Sequence, residues 1–208
     1  MSPDIIAQLA PHGMLRAGIN LSNFLLVTGR DVHGSPEGVS PSMARALAER
    51  LGVPVRLVPY ASPGLVADAV DTDSWDVALI GAEPQRAEKI AFTAAYAEIE
   101  STYLVPAGSP IATIADVDRA GVRIASIARA AYDLWLERNI QAAELVAGEG
   151  FDGAYRQFVD GKLDALAGLR PKLIEDERTL PGSRMLPGRF MAVQQALGTP
   201  KASGIALE

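Results

Sequence analysis

Residues 38–60 read GVSPSMARALAERLGVPVRLVPY, a stretch that joins a helix to a strand. Ser40 is suited to cap the helix, Pro41 fits its first turn, and Gly52 ends it. Beyond the glycine, Val53-Pro54-Val55-Arg56-Leu57-Val58-Pro59-Tyr60 is mostly β-branched or apolar and carries prolines, which strand starts and edges tolerate better than strand centres. The same rhythm surrounds it. Leu15-Arg16-Ala17-Gly18-Ile19-Asn20 is strand-like before it, and after it come an expected helix near 65–70, a strand at 77–81, a helix around 85–90 and a strand at 102–105. After Ser109-Pro110 the pattern restarts, with strands expected at 122–127, 145–147 and 163–168 and helices near 130–139, 154–159 and 171–177. Alternating strands and helices predict parallel sheets covered on both faces, because each parallel strand needs a crossover.

Two such runs predict two α/β lobes: residues 1–96, rejoined by 196–208, and residues 101–190. A late strand, Met191-Ala192-Val193-Gln194-Gln195-Ala196-Leu197, would carry the chain back to the first lobe. The crossings at 96–100 and 191–195 would then act as hinges, with a cleft where ligands of open α/β sheets tend to sit.

Composition narrows the function. The 208 residues are 49% hydrophobic and 21% charged, ordinary globular usage, and a net charge of −6 without a Lys/Arg cluster gives no footprint for nucleic acid. With no cysteine, disulfides, thiolate metal sites and cysteine nucleophiles are excluded. His12 and His33 each lie beside a glycine in loop-like sequence and read as solvated, so neither a metal nor a cofactor is expected. The opening MSPDIIAQLAPHGMLRAG lacks the pattern of a secretory signal, and no apolar run reaches the roughly 18 residues of a membrane span. The chain is expected to be soluble, either mature or natively cytosolic.

Gly148-Glu149-Gly150-Phe151-Asp152-Gly153 has the GxGxxG spacing between an expected strand and an expected helix. A dinucleotide site also wants an acid after the next strand, and here that strand runs into Leu169 and Arg170, so no nucleotide is expected. No GxSxG, HExxH or P-loop motif occurs, and no carboxylate pair stands out from the scatter of acids.

Several segments, in order, resemble the family 3 extracellular solute-binding proteins. These are IAQLAPHGMLRAGIN (6–20), GVSPSMARALAERLGVPVRLV (38–58), WDVALIGAEPQRAEKIAFTAAY (75–96), IADVDRAGVRIA (114–125) and FVDGKLDALAG (158–168). The resemblance implies a two-lobed, type II periplasmic-binding-protein-like fold with two hinge-crossing strands. It also implies a periplasmic, non-enzymatic role in capturing a small polar solute for an ABC permease. Such proteins continue with a helix or two beyond this chain's end, so C-terminal helices are expected to be missing.

By the same resemblance, Arg86 takes the place of the arginine that grips a ligand carboxylate, a task its planar guanidinium suits. Truncating Arg86, read as a surface arginine, should leave the fold and melting temperature of the empty protein nearly unchanged. The chain departs from the family's Thr-x-Thr before that arginine, reading Gly81-Ala82-Glu83-Pro84-Gln85. It also places Arg129 where the family has a neutral donor, and Leu169-Arg170 where the family has the aspartate that meets the ligand ammonium. Arg86, Arg129 and Arg170 together favour an anionic ligand; alternatively Glu83 takes over the ammonium and an amino acid still binds. Asn20, Asn23, Gly81 and Ser126 complete the expected pocket, with Phe24 and Tyr132 as core or rim. Two other roles fit the scaffold: a cyclohexadienyl-dehydratase-like enzyme with Glu83 as general acid, and a cytosolic or receptor-attached sensor.

Overall fold

The computed structural model describes residues 3–204. In chain order the elements are α1 (Pro3–Leu9), β1 (Leu15–Asn20), β2 (Gly29–Arg30), β3 (Pro36–Glu37), α2 (Val39–Leu51), β4 (Val55–Tyr60), α3 (Pro63–Asp68), β5 (Val77–Ala82) and β6 (Ile90–Phe92). They continue with β7 (Ala97–Val105), β8 (Arg123–Ile127), α4 (Ala131–Asn139), β9 (Glu144–Gly148), α5 (Gly150–Asp160), β10 (Ala165–Leu169), α6 (Arg170–Thr179), β11 (Arg184–Met185) and β12 (Met191–Pro200). The described residues form two compact units: 3–97 with 194–204, and 98–193.

In the first unit β1 lies between β4 and β5, all parallel, with Ile19 opposite both Pro59 and Leu79. The C-terminal ends of these strands therefore share one edge. β12 runs antiparallel to β5, and β6 antiparallel to β12. One core packs Leu15, Ala17 and Ile19 of β1 against Ala44, Ala48 and Leu51 of α2. A second gathers Val66, Trp75, Ile80 and Ile90, where the Trp75 indole N–H donates to the Val66 carbonyl at 3.1 Å. At the opposite strand ends the Arg16 guanidinium grips the Asp76 carboxylate by two bonds of 3.1 and 2.7 Å, an ion pair that joins β1 to the entry of β5.

The second unit repeats the plan. β8 lies between β9 and β10, all parallel, and β7 runs antiparallel to β10. Its core joins Leu104, Ala125, Ala154, Phe158, Leu166 and Leu173. Each unit thus adds antiparallel strands to a parallel trio, where the alternation of elements predicts parallel strands only. β7 meets β10, and β12 meets β5, across long stretches of chain and not across one strand-helix-strand unit, so the local alternation does not set their direction.

Two helix boundaries also differ from expectation. Gly38 at φ 132°, not Ser40, precedes α2, and no side chain caps it. A Cβ on Gly38 would lie 2.5 Å from the Leu26 carbonyl oxygen, so a close backbone approach places the helix start where only glycine fits. The helix expected over 85–90 is a single 3-10 turn, Arg86–Glu88, because Ile90 is drawn into β6 opposite Pro200.

Candidate ligand-binding site

The expected site residues of the first unit fall at the shared C-terminal edge of β1, β4 and β5, the edge where ligands of open α/β sheets gather. Asn20 ends β1 and is buried. Its Oδ1 accepts from the Ser22 amide at 3.1 Å and the Ser22 hydroxyl at 2.7 Å, so its acceptor is used to turn the chain. Asn23, 7% exposed, has an Oδ1 with no hydrogen-bond partner, and a buried acceptor of that kind calls for a donor.

After β5, Glu83 and Arg86 are both buried, at 4% and 5% exposure. Glu83 Oε2 accepts from the Gln85 amide at 2.9 Å, and Arg86 Nη1 donates to the Gly81 carbonyl at 2.8 Å. Gly81 thus contributes by orienting the guanidinium. Arg86 is not the solvated surface residue that a negligible effect on stability would require, because its truncation strips a buried carbonyl of a donor. Ser40 bonds the Tyr96 hydroxyl at 3.1 Å, and burial pushes the Tyr96 phenol pKa up.

In the second unit the C-terminal ends of β8, β9 and β10 likewise share an edge. Ser126 is fully buried, and its hydroxyl donates to Asp133. Arg129 is exposed, and its backbone amide donates to the other Asp133 oxygen at 2.7 Å. Tyr132 belongs to the core at 2% exposure. Arg170 opens α6, where its Nε donates to Glu100 at 2.7 Å and its Nη2 to the Gly188 carbonyl at 2.5 Å, tying the helix to β7 and the loop before β12. Arg170 is thus engaged by an ion pair within the second unit.

The model for bacterial extracellular solute-binding proteins, family 3, matches residues 21–204. The chain belongs to this family. A search of curated proteins gives no match. Among solved structures, an arginine-bound variant of ArgBP from T. maritima superposes with a TM-score of 0.74 at 18% identity, covering 95% of this chain and 92% of that one. An ancestral amino acid-binding protein, AncCDT-1, described as a precursor of cyclohexadienyl dehydratase, gives 0.73 at 21% identity, covering 96% and 87%. A putative ABC-transporter binding component from Wolinella succinogenes, complexed with lysine, gives 0.72 at 18% identity, covering 91% and 83%. These likenesses establish the type II periplasmic-binding-protein fold.

Within this solute-binding fold, the GxGxxG stretch has a packing explanation. Gly148 ends β9 and Gly150 opens α5; a Cβ on Gly148 would stand 2.5 Å from the Ala154 nitrogen and 2.6 Å from the Gly153 carbonyl carbon. The glycines let strand and helix touch backbone to backbone. The bonds that Asp133 makes across the β8–α4 turn were not legible in the sequence. The one signal was an acid at the third position of a helix, from which a side chain can reach back to an amide before the first turn. Nor do the acids form an undifferentiated surface scatter, since Asp76, Glu83, Asp133 and Asp176 are all buried. Among the described residues no His, Asp or Glu cluster could hold a metal, and no helix is long and apolar enough to cross a membrane.

Proposed function

We propose that the protein is the periplasmic substrate-binding component of an ABC transporter and captures a small polar solute bearing a carboxylate. The observation that carries this reading is Arg86: a buried guanidinium at the C-terminal edge of a parallel sheet, oriented by the Gly81 carbonyl. A planar fork in a desolvated setting suits a carboxylate by geometry and charge. Glu83, buried three residues earlier, supplies the opposite charge, and with Arg170 committed to Glu100 the balance favours a zwitterion. An amino acid, its carboxylate on Arg86 and its ammonium on Glu83, is therefore the preferred ligand. The arginine and lysine held by two of the solved relatives carry the same two groups.

Titration calorimetry on protein unfolded, washed and refolded tests this, using L-arginine, L-lysine, L-glutamate, succinate and agmatine. At least one amino acid should bind with a dissociation constant of about 1 μM or lower, and an analogue lacking the carboxylate should bind at least about thirty-fold more weakly. Equal affinity for agmatine and L-arginine would sink the carboxylate assignment. The same samples incubated with prephenate or arogenate should show no turnover, and product formation would favour a dehydratase instead.

A further inference from the structure

Helix α5 ends in a left-handed turn at a residue that is not glycine. The Lys162 amide donates to the Val159 carbonyl at 3.3 Å and the Leu163 amide to the Phe158 carbonyl at 3.0 Å, the paired bonds that close a helix through one left-handed position. That position is Lys162, at φ 49°, where glycine would sit without strain. Its carbonyl accepts from Arg123 Nη2 at 2.6 Å, which ties the turn to β8. These bonds explain the conformation but not the lysine, since none of them uses an ammonium.

Lys162 borders a hollow of about 310 Å³ that lies wholly within the second unit. The hollow sits at the N-terminal end of β10, the opposite end of that strand from the edge where the expected site residues fall. Its apolar walls are Phe158, Val159, Leu163, Leu180, Pro106 and Pro181. Phe158 and Leu163 are buried members of the unit's core, so a guest in the hollow would rest directly on core side chains. The space is about twice that of a cavity that accepts benzene, at the small end of the range for ligand pockets. Three polar side chains complete the lining: Lys162, Asp164 and Ser183. Two of them are engaged. Asp164 Oδ2 accepts from the Arg123 amide at 2.8 Å and stands 3.8 Å from Arg123 Nε, while the Ser183 hydroxyl donates to the Leu180 carbonyl at 2.7 Å. The Lys162 ammonium has no hydrogen-bond or ion-pair partner among the described residues. It is a compact charge on a flexible stem, able to follow an anion at the rim of an apolar space.

We infer that this hollow is a second ligand site, taking a small monocarboxylate with an aromatic or branched apolar body. The body fills the space over Phe158 and Leu163, and the carboxylate meets the Lys162 ammonium. The inference does not rest on the amino-acid reading of Arg86, because walls and cation all belong to the second unit.

Amide chemical shifts of the whole chain, titrated with sodium benzoate, test it. The Ala107, Lys162, Leu163 and Ser183 amides should shift along one saturating curve, with a dissociation constant of about 1 mM or lower. A response confined to the Gly81 and Arg86 amides, or none up to about 10 mM, overturns the inference. Lys162→Met keeps a side chain of similar reach without the charge. Because Lys162 is exposed and screened by water, this variant should weaken benzoate by about threefold and leave benzyl alcohol unchanged. Benzyl alcohol binding the parent as tightly as benzoate would make the hollow a plain apolar cavity and overturn the carboxylate assignment. Val159→Trp enlarges a wall residue that is 38% exposed, and so fills the hollow from its exposed side. It should abolish the benzoate shifts at Ala107 and Ser183; parent affinity retained in this variant would place the ligand elsewhere and overturn the site.

Discussion

Arg86→Ala should weaken binding of the carboxylate-bearing solute by roughly thirty-fold or more, since removing one partner of a desolvated, charge-assisted pair costs about 2–5 kcal/mol. Arg86→Lys should recover only part of the loss, because an ammonium restores the charge without the planar fork. The buried placement of Arg86 adds a second effect. Its Nη1 serves the Gly81 carbonyl, so Arg86→Ala should also lower the stability of the empty protein by about 1–2 kcal/mol, measurable by urea unfolding. The two effects separate in one experiment, because a variant that is folded at the titration temperature reports affinity independently of its unfolding midpoint. Affinity equal to the parent's would remove Arg86 from the site.

Gly148→Ala should destabilise the second unit by about 3 kcal/mol, toward the upper end of what overpacking costs. The added Cβ would meet the backbone of Gly153 and Ala154 at 2.5–2.9 Å, and backbone in a helix start cannot swing aside as a side chain tip does. Strand β9 and helix α5 would have to separate, which also disturbs the Gly148 carbonyl that receives the Ala128 amide at the β8–α4 turn. Gly150→Ala provides the contrast. Gly150 has φ 64° and open space around its Cβ position, so only the conformational cost of about 1 kcal/mol applies. Thermal unfolding ranks the pair: a melting temperature lower for Gly150→Ala than for Gly148→Ala would contradict the packing explanation of this glycine motif.

The repeated strand and helix order was legible because it depends on local pattern, and Gly52 marked the end of α2 through its own left-handed φ of 71°. What escaped sequence reading depends on distant partners. The start of α2 is set at Gly38 by the backbone of Leu26–Thr28, the turn at Arg86–Glu88 is cut short because Ile90 pairs with Pro200, and Arg16 finds Asp76 sixty positions away. The site divides along the same line. Arg86 was singled out by the resemblance, whereas its burial and its bond to Gly81 follow from the fold. Arg170 looked equally available in the sequence, but Glu100, far along the chain, holds it. Asp133 was hidden because an acid in the first turn of a helix is ordinary until the chain before it is seen to bend back.

The most direct measurement is native mass spectrometry of the protein purified without denaturation, followed by identification of what it releases on unfolding. A one-to-one complex with a carboxylate-bearing small solute, present in the parent and lost in Arg86→Ala, is the predicted result. Release of a solute without a carboxylate, or the same occupancy in parent and Arg86→Ala, would contradict capture of a carboxylate through Arg86.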